Sequence, residues 1–316
     1  MIWVILALLV QTVRISIPYQ LSALGGVFSE RGGVINIALE GLLLIGAFSY
    51  IVGNWYAMKW FSGSSYENLS PLIGLLSGII SSALIGLILS IICITFKADQ
   101  IITGIAINLF ALGFTKFTNE IIFHSPSNSE VVLPFPAPII FKGEQIGIFN
   151  TLFHPIILFT FIIVLISYPL FFNTRFGLRL RAVGENPSSA DSAGISVSLY
   201  RYSGVIIGSI LAGIGGAWLS LDQCRFSANM SAGRGFIALA AIIVGKWHPI
   251  GAAGACLLFG LAESCQLFLQ AGGIKFLPNQ IVQMFPYILT LLVLAGFIGR
   301  AVPPAADGIP YEKEKI

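Results

Sequence analysis

Residues 173–196 read NTRFGLRLRAVGENPSSADSAGIS, a polar stretch set between two long apolar runs. It carries Arg175, Arg179 and Arg181, followed by Glu185 and Asp191. A compact helix signal lies inside it. Asn186 is a capping residue, Pro187 suits the first helical position, and Gly194 closes the end in a left-handed conformation. The spacing predicts a helix of about two turns, roughly 10 Å long. A short capped helix of this kind, projecting from apolar flanks, is shaped to be gripped by another protein.

The flanks set the fold class. Of 316 residues, 56% are hydrophobic and 10% are charged, against about a quarter charged in soluble domains. No hydrophilic stretch is long enough for a second folded domain, so 1–316 reads as one all-α polytopic membrane unit. A crossing helix needs about 20 apolar residues. Nine segments qualify as candidates: 2–24, 34–52, 71–96, 101–117, 153–172, 200–221, 235–245, 250–270 and 281–299. Asn36 and Glu40 interrupt the second, and the seventh is too short to cross alone. One or both are expected to be broken or re-entrant, which leaves eight to ten helices. The first apolar run has no basic residues ahead of it and no clear cleavage site after it, so it reads as a retained span.

Loop charge gives orientation. Residues 173–196 hold three arginines, Arg201 follows closely, and the tail carries Arg300, Lys313 and Lys315. The loop 118–152 has only Lys142 against Glu120, Glu130 and Glu144. The positive-inside rule then places 173–196 and the C-terminus in the cytoplasm and the proline-rich loop outside. The net charge of +3 is scattered over loops, with no basic stripe of the kind that binds nucleic acid.

The sequence contains no phosphate loop, no HExxH, no GxSxG and no paired Cys/His pattern, so neither an enzyme, a metal site nor a cofactor site is expected. Cys93, Cys224, Cys256 and Cys265 lie in or beside apolar runs and read as packing residues. His124, His154 and His248 fall at span ends or in loops and read as interfacial. Lys116 and Glu120, four apart, read as a helix-surface pair. Ionisable groups inside spans are costly and point to the bundle interior or a solute path. Glu40 and Glu263 are of this kind, with Arg14 as a partner within reach, while Asn36 and Asn108 add amides. Asn36 and Glu40 are expected to share one helical face. Each carboxylate has three readings: hydrogen-bonded to a neighbouring helix, paired with Arg14, or lining a path. Gly204 and Gly208 have GxxxG spacing, which packs helices within a chain more often than between chains.

The stretch 25–46, GGVFSERGGVINIALEGLLLIG, closely resembles the "ERxGVxNIxLEG" run of permease subunits from bacterial ABC importers for nucleosides and related simple sugars. Three further stretches agree in order. Residues 177–195 (GLRLRAVGENPSSADSAGI) resemble the family's ATPase-docking loop, and 236–260 (FIALAAIIVGKWHPIGAAGACLLFG) its late "ALAAxIxGxWxPxGA" stretch. The tail ending PYEKEKI is similar to that of the shorter permease in a two-permease nucleoside system. The resemblance implies a homologous second permease, an ATP-binding subunit that uses ATP and Mg, and an extracytoplasmic substrate-binding lipoprotein, all at the bacterial inner membrane. It makes 173–196 the cytoplasmic coupling loop, with Glu185, Asn186, Ala190, Asp191 and Gly194 as contacts. Arg179 and Arg181 would pair with ATPase carboxylates or, alternatively, hold topology against lipid phosphates. Asn36, Glu40, Asn108 and Glu263 are the path candidates. The alternative is a stand-alone ion-coupled transporter, with Glu40 and Glu263 as ion sites.

Overall fold

The computed structural model describes residues 2–64, 66–138, 140, 147–271, 284, 288, 291 and 301–312. Ten α-helices lie among them: α1 Ile2–Glu30, α2 Leu39–Trp60, α3 Ser70–Ser90, α4 Gln100–Phe123, α5 Pro155–Asn173, α6 Arg175–Glu185, α7 Pro187–Ser192, α8 Val197–Gln223, α9 Arg234–Val244 and α10 Pro249–Ala271. Seven helical segments are long and apolar enough to cross a membrane: Trp3–Glu30, Leu39–Trp60, Glu67–Thr95, Gln100–Phe123, Pro155–Asn173, Val197–Gln223 and Pro249–Ala271. The third joins a 3₁₀ turn, α3 and a π-turn over Ile91–Thr95. The expected span 281–299 falls outside the described residues except at three isolated positions.

Three boundaries differ from the hydropathy reading. The first helix runs through Pro18 and the Gly25–Gly26 pair to Glu30, and ends just ahead of Gly32 and Gly33. The second starts at Leu39 rather than at 34, so its break precedes the helix instead of interrupting it. The arginine-bearing segment ahead of Asn186 is helical and forms α6. Thr174 caps it, accepting from the Gly177 N–H at 3.2 Å, and Leu180 and Val183 bury its inner face. The short segment near 235 is α9, 11 residues long. At about 1.5 Å per residue it is too short to cross a bilayer.

α8 lies at the centre and is mostly buried. α1, α2 and α3 surround it, α10 and α9 pack on α1, and α4 flanks α2. α3 and α4 are buried along one side only, and their outward faces carry exposed Leu76, Ile80, Leu84, Ile102, Leu109 and Phe117. In water such a surface would be a liability; against lipid tails or another apolar subunit it is matched.

Glycine lets the central helices approach. A Cβ at Gly208 would land on the Gly25 carbonyl oxygen of α1, one at Gly213 on the Ser82 side chain of α3, and one at Gly216 on the Leu43 carbonyl of α2. The small-residue stripe of α8 is therefore consumed inside the chain, in agreement with its spacing. No ion pair joins Lys116 to Glu120 among the described residues, so that surface pair does not form.

Gly208→Val should therefore force α1 and α8 apart. Overpacking of this kind costs about 1–3 kcal/mol, to be seen as a lower thermal transition of the detergent-purified protein. An unchanged transition would show that the contact is not close.

Candidate coupling and transport site

Two regions carry the charged and polar side chains singled out in the sequence, one at each end of α8. At its N-terminal end, α6 and α7 form a knob. Asn186 Oδ1 accepts from the Ser189 N–H at 3.0 Å, Pro187 occupies the first turn, and Gly194 has φ +77°. The local reading of this helix holds in each particular. Glu185, Asn186, Ser188, Ser189, Ser192 and Gly194 are exposed. Ala190 is not: at 4% exposure it packs with Val183 and Val197 beneath the helix. Its side chain holds α7 down rather than offering an outer contact. Arg179 donates to the Tyr200 hydroxyl at 3.2 Å, and the Arg181 guanidinium lies 4.7 Å from the centre of the Phe172 ring. Both arginines thus reach back to the bundle. Asp191 sits half-buried beside Ala190.

The knob is fastened to the end of α1. A Cβ at Gly184 would meet the Arg31 carbonyl oxygen, so α6 and the residues after α1 touch backbone to backbone. Arg31 lies 3.8 Å from Glu185 and donates through Nε to the Trp247 carbonyl at 3.0 Å. Trp247 in turn donates from its indole nitrogen to Glu30 at 2.5 Å. Lys246 and Trp247 both have φ +54°, so the turn between α9 and α10 is unfavourable for side-chain-bearing residues and relies on these anchors. Residues 301–312 close the junction. The Ala306 N–H donates to the Gly184 carbonyl at 2.9 Å, and buried Arg201 donates to the Ile309 carbonyl at 2.9 Å. Burial, and then the charge of Glu30, push the Asp307 carboxyl above the usual range.

Residues 31–38 are non-helical, and most of them are buried, so their backbone groups need protein partners. Gly33, at φ +83°, turns the chain. The Ile35 N–H donates to Gln100 Oε1 at 2.7 Å, the Asn36 N–H donates to Glu30, and Ser29 donates to the Val34 carbonyl at 2.8 Å. Asn108 bridges the far side of the break. Its Nδ2 donates to the Ile37 carbonyl at 2.9 Å and its Oδ1 accepts from the Gly41 N–H at 2.7 Å. Asn36 and Glu40 do not share a helical face, because α2 begins only at Leu39. The Asn36 side chain is fully buried, and neither of its polar atoms has a partner among the described residues.

The carboxylates have structural partners. α9 begins at Gly233, which has no side chain to cap it, and Glu40 does so from α2, accepting from the Gly233 and Gly235 N–H groups at 2.8 and 2.7 Å. Glu263 accepts from Arg234 at 2.6 Å and from the Tyr19 hydroxyl. Arg14 pairs with neither carboxylate; it meets Asp222 at 2.5 Å. The hydrogen bonds of Glu40 and Glu263 hold α9 against α1, α2 and α10. Glu263 also borders a cavity of about 150 Å³ together with Arg14, Asp222 and Arg234, at the end of α8 remote from the knob. Asn36, Glu40 and Asn108 do not line it.

A polytopic helical bundle with a protruding capped helix at one end and a charged cleft at the other has the form of a membrane transport component. A family model described as "Branched-chain amino acid transport system / permease component" matches residues 8–294, and the chain belongs to that family. It is 43% identical over 304 residues to the guanosine ABC transporter permease protein NupQ of Bacillus subtilis, covering 94% of both chains. It is 39% identical over 305 residues to the nucleoside ABC transporter permease protein NupC of Lactococcus lactis, covering 95% of both. A second Bacillus subtilis protein, the guanosine ABC transporter permease protein NupP, is 28% identical over 92% of this chain and 82% of its own. No solved structure gives a significant match. The chain is accordingly a multi-pass membrane permease subunit of an ABC transporter, a transport component and not a catalytic enzyme.

Glu40→Ala would strand two N–H groups at the start of α9, a loss of about 1–3 kcal/mol per unsatisfied group. Glu40→Gln keeps one acceptor and should fall between this variant and the parent in thermal unfolding of the purified protein. Equal stability of all three would refute the capping role. Asp307 gives a pH signature. Its carboxyl is raised in the folded state, so its contribution is complete below the ordinary carboxylate pKa and is lost as pH rises through the raised value. Asp307→Asn should flatten the fall of the thermal transition toward alkaline pH; an unchanged slope would contradict the burial of this group.

Proposed function

We propose that this chain is the shorter of two paired permeases in a bacterial importer that moves nucleosides into the cytoplasm, driven by ATP hydrolysed with Mg on a separate subunit. The observation that carries this reading is the 43% and 39% identity, over nearly the whole chain, to permeases named for guanosine and nucleoside transport. A homologous partner is supported by the two guanosine permease proteins of Bacillus subtilis, NupQ and NupP, both of which this chain matches. An extracytoplasmic lipoprotein would hand over the solute, and no cofactor is needed in this chain.

In this reading α6 and α7 lie in the cytoplasm at the inner membrane, where their arginines favour retention. The C-terminus lies on the same side and the proline-rich loop 118–152 outside. The exposed rim of α7, made by Asn186, Ser189 and Gly194, enters a groove on the ATP-binding subunit, with Glu185 and Asp191 at its edges. Ala190 supports that rim from below. When the ATP-binding subunits close, α7 is pushed. The push reaches the break at 31–38 through Gly184 and Arg31, and the α9–α10 turn through Trp247. Two helix starts, α2 and α9, then move with Glu40 between them.

Cells lacking the native system but expressing the complete importer should accumulate radiolabelled nucleosides only with an intact ATP-binding subunit. Ser189→Trp should abolish that uptake and the co-purification of the ATP-binding subunit, while the permease stays at normal levels in the membrane. Uptake of simple sugars in place of nucleosides would overturn the substrate assignment. Uptake by the permease alone under an ion gradient would overturn the importer reading.

A further inference from the structure

At the end of α8 remote from the knob, α1, α8, α10 and residues 134–138 and 150–154 enclose two adjoining cavities of about 150 and 350 Å³. They share Arg14, Trp218 and Asp222. The larger lies at the lower end of the range of roughly 300–1,000 Å³ typical of small-molecule sites. Four formal charges line the cleft, and each is matched: Arg14 by Asp222 and Arg234 by Glu263. Their side chains remain 15–35% exposed, so they face the space rather than the core. His154 also borders the space, and burial holds its pKa down at about 4, so it adds no charge at neutral pH.

The pairing leaves hydrogen-bonding capacity unspent. Arg14 bonds Asp222 through Nε, and no bond to a described residue is made by its terminal guanidinium nitrogens or by the second Asp222 carboxylate oxygen. A set of donors therefore stands beside an acceptor, which complements a solute edge that alternates acceptor and donor, as a nucleobase does. Half-buried Phe135 and the rings of Pro134 and Pro138 supply an apolar wall. The backbone of the loop is tied to the end of α8 by Val132 N–H to the Cys224 carbonyl at 2.9 Å and Ser129 N–H to the Phe226 carbonyl at 3.0 Å. The stretch leading into Pro134 and Phe135 is thus held against the end of α8.

The structure assigns this cleft as an outer receiving site for an uncharged, ring-bearing, hydrogen-bonding solute, a nucleoside, with Arg14 and Asp222 presenting the polar edge. The inference rests on the nucleoside-importer reading and names where in this chain the solute first binds. A charged solute has no unmatched counter-charge here: a nucleoside 5′-phosphate or a zwitterionic amino acid would bring in charge that the paired side chains do not neutralise, a desolvation cost that an uncharged ring avoids.

The test uses Ala137, an exposed residue on the wall of the larger cavity. Ala137→Cys, in a background with Cys224 and Cys265 changed to serine, is labelled with a membrane-impermeant maleimide in the permease–ATPase complex held in lipid nanodiscs. Millimolar inosine or uridine should slow labelling by about threefold or more, since a transport site binds weakly enough to release its solute. Inosine 5′-phosphate and leucine should not slow it, and Asp222→Asn should abolish the nucleoside effect. An unchanged rate with nucleosides, or equal slowing by the phosphate or by leucine, overturns the assignment. Nucleoside uptake by cells carrying the complete importer is scored separately, so persistence of uptake with no protection rejects the cleft while leaving the importer reading intact.

Discussion

Buried backbone that leaves the helix has no water to bond, and each N–H or carbonyl left unpaired costs about 1–3 kcal/mol. Residues 31–38 are such backbone, and much of the fold is arranged to satisfy them. Gln100 and Asn108 from α4, and Ser29 and Glu30 from α1, each take one or two of the freed groups. Because those partners come from different helices, the break cannot shift without disturbing α1, α2 and α4 together. The second interruption, ahead of α9, is solved in the same way by one carboxylate, Glu40, acting from α2. A negative group at two helix starts is also favoured by their dipoles.

Around these breaks the central helices approach backbone to backbone, beside a core of large side chains such as Phe28, Tyr50, Phe171 and Phe226. Gly208 against Gly25, Gly213 against Ser82, and Gly216 against Leu43 place α8 within touching distance of α1, α3 and α2. Between apolar helices in lipid there is no hydrophobic gain from burial, so van der Waals contact at short range and a few hydrogen bonds carry the association. The result is a tight core and a greasy outer face on α3 and α4. The knob of α6 and α7 joins this core by the same device, with Gly184 pressed against the Arg31 backbone.

Local features are legible in the sequence and tertiary ones are obscure. The cap, first-turn proline and closing glycine of α7 act within nine residues, and they read directly. The seven described crossing segments all fall on stretches that hydropathy marks, but hydropathy also marks 235–245, which is the short α9, and 281–299, which lies outside the described residues. The start of α2 does not, because the residues that fix it, Gln100 and Asn108, lie more than sixty positions away. Spacing alone therefore puts Asn36 and Glu40 on a shared face that does not exist. The partner of Glu40 is about 193 positions distant, at Gly233, and that of Arg14 is Asp222 rather than either buried glutamate. α6 has a usable signal, apolar residues at 176, 180 and 183 with helical spacing, but its arginines make it look like a loop. Ala190 reads as an outer contact because a six-residue helix shows too little periodicity to reveal its inner face.

The proposed coupling needs a mechanical path from α7 into the bundle. In that proposal, force applied at α7 would pass through α6 to the break at 31–38, and through Arg31 and Trp247 to the α9–α10 turn. Gly184, whose Cα packs on the Arg31 backbone, lies on that path. The most direct test is Gly184→Val in the assembled importer, with ATP hydrolysis and radiolabelled nucleoside uptake followed in the same proteoliposomes. The variant should still co-purify with the ATP-binding subunit and hydrolyse ATP, but lose nucleoside uptake. Uptake per ATP equal to that of the parent protein would contradict the path.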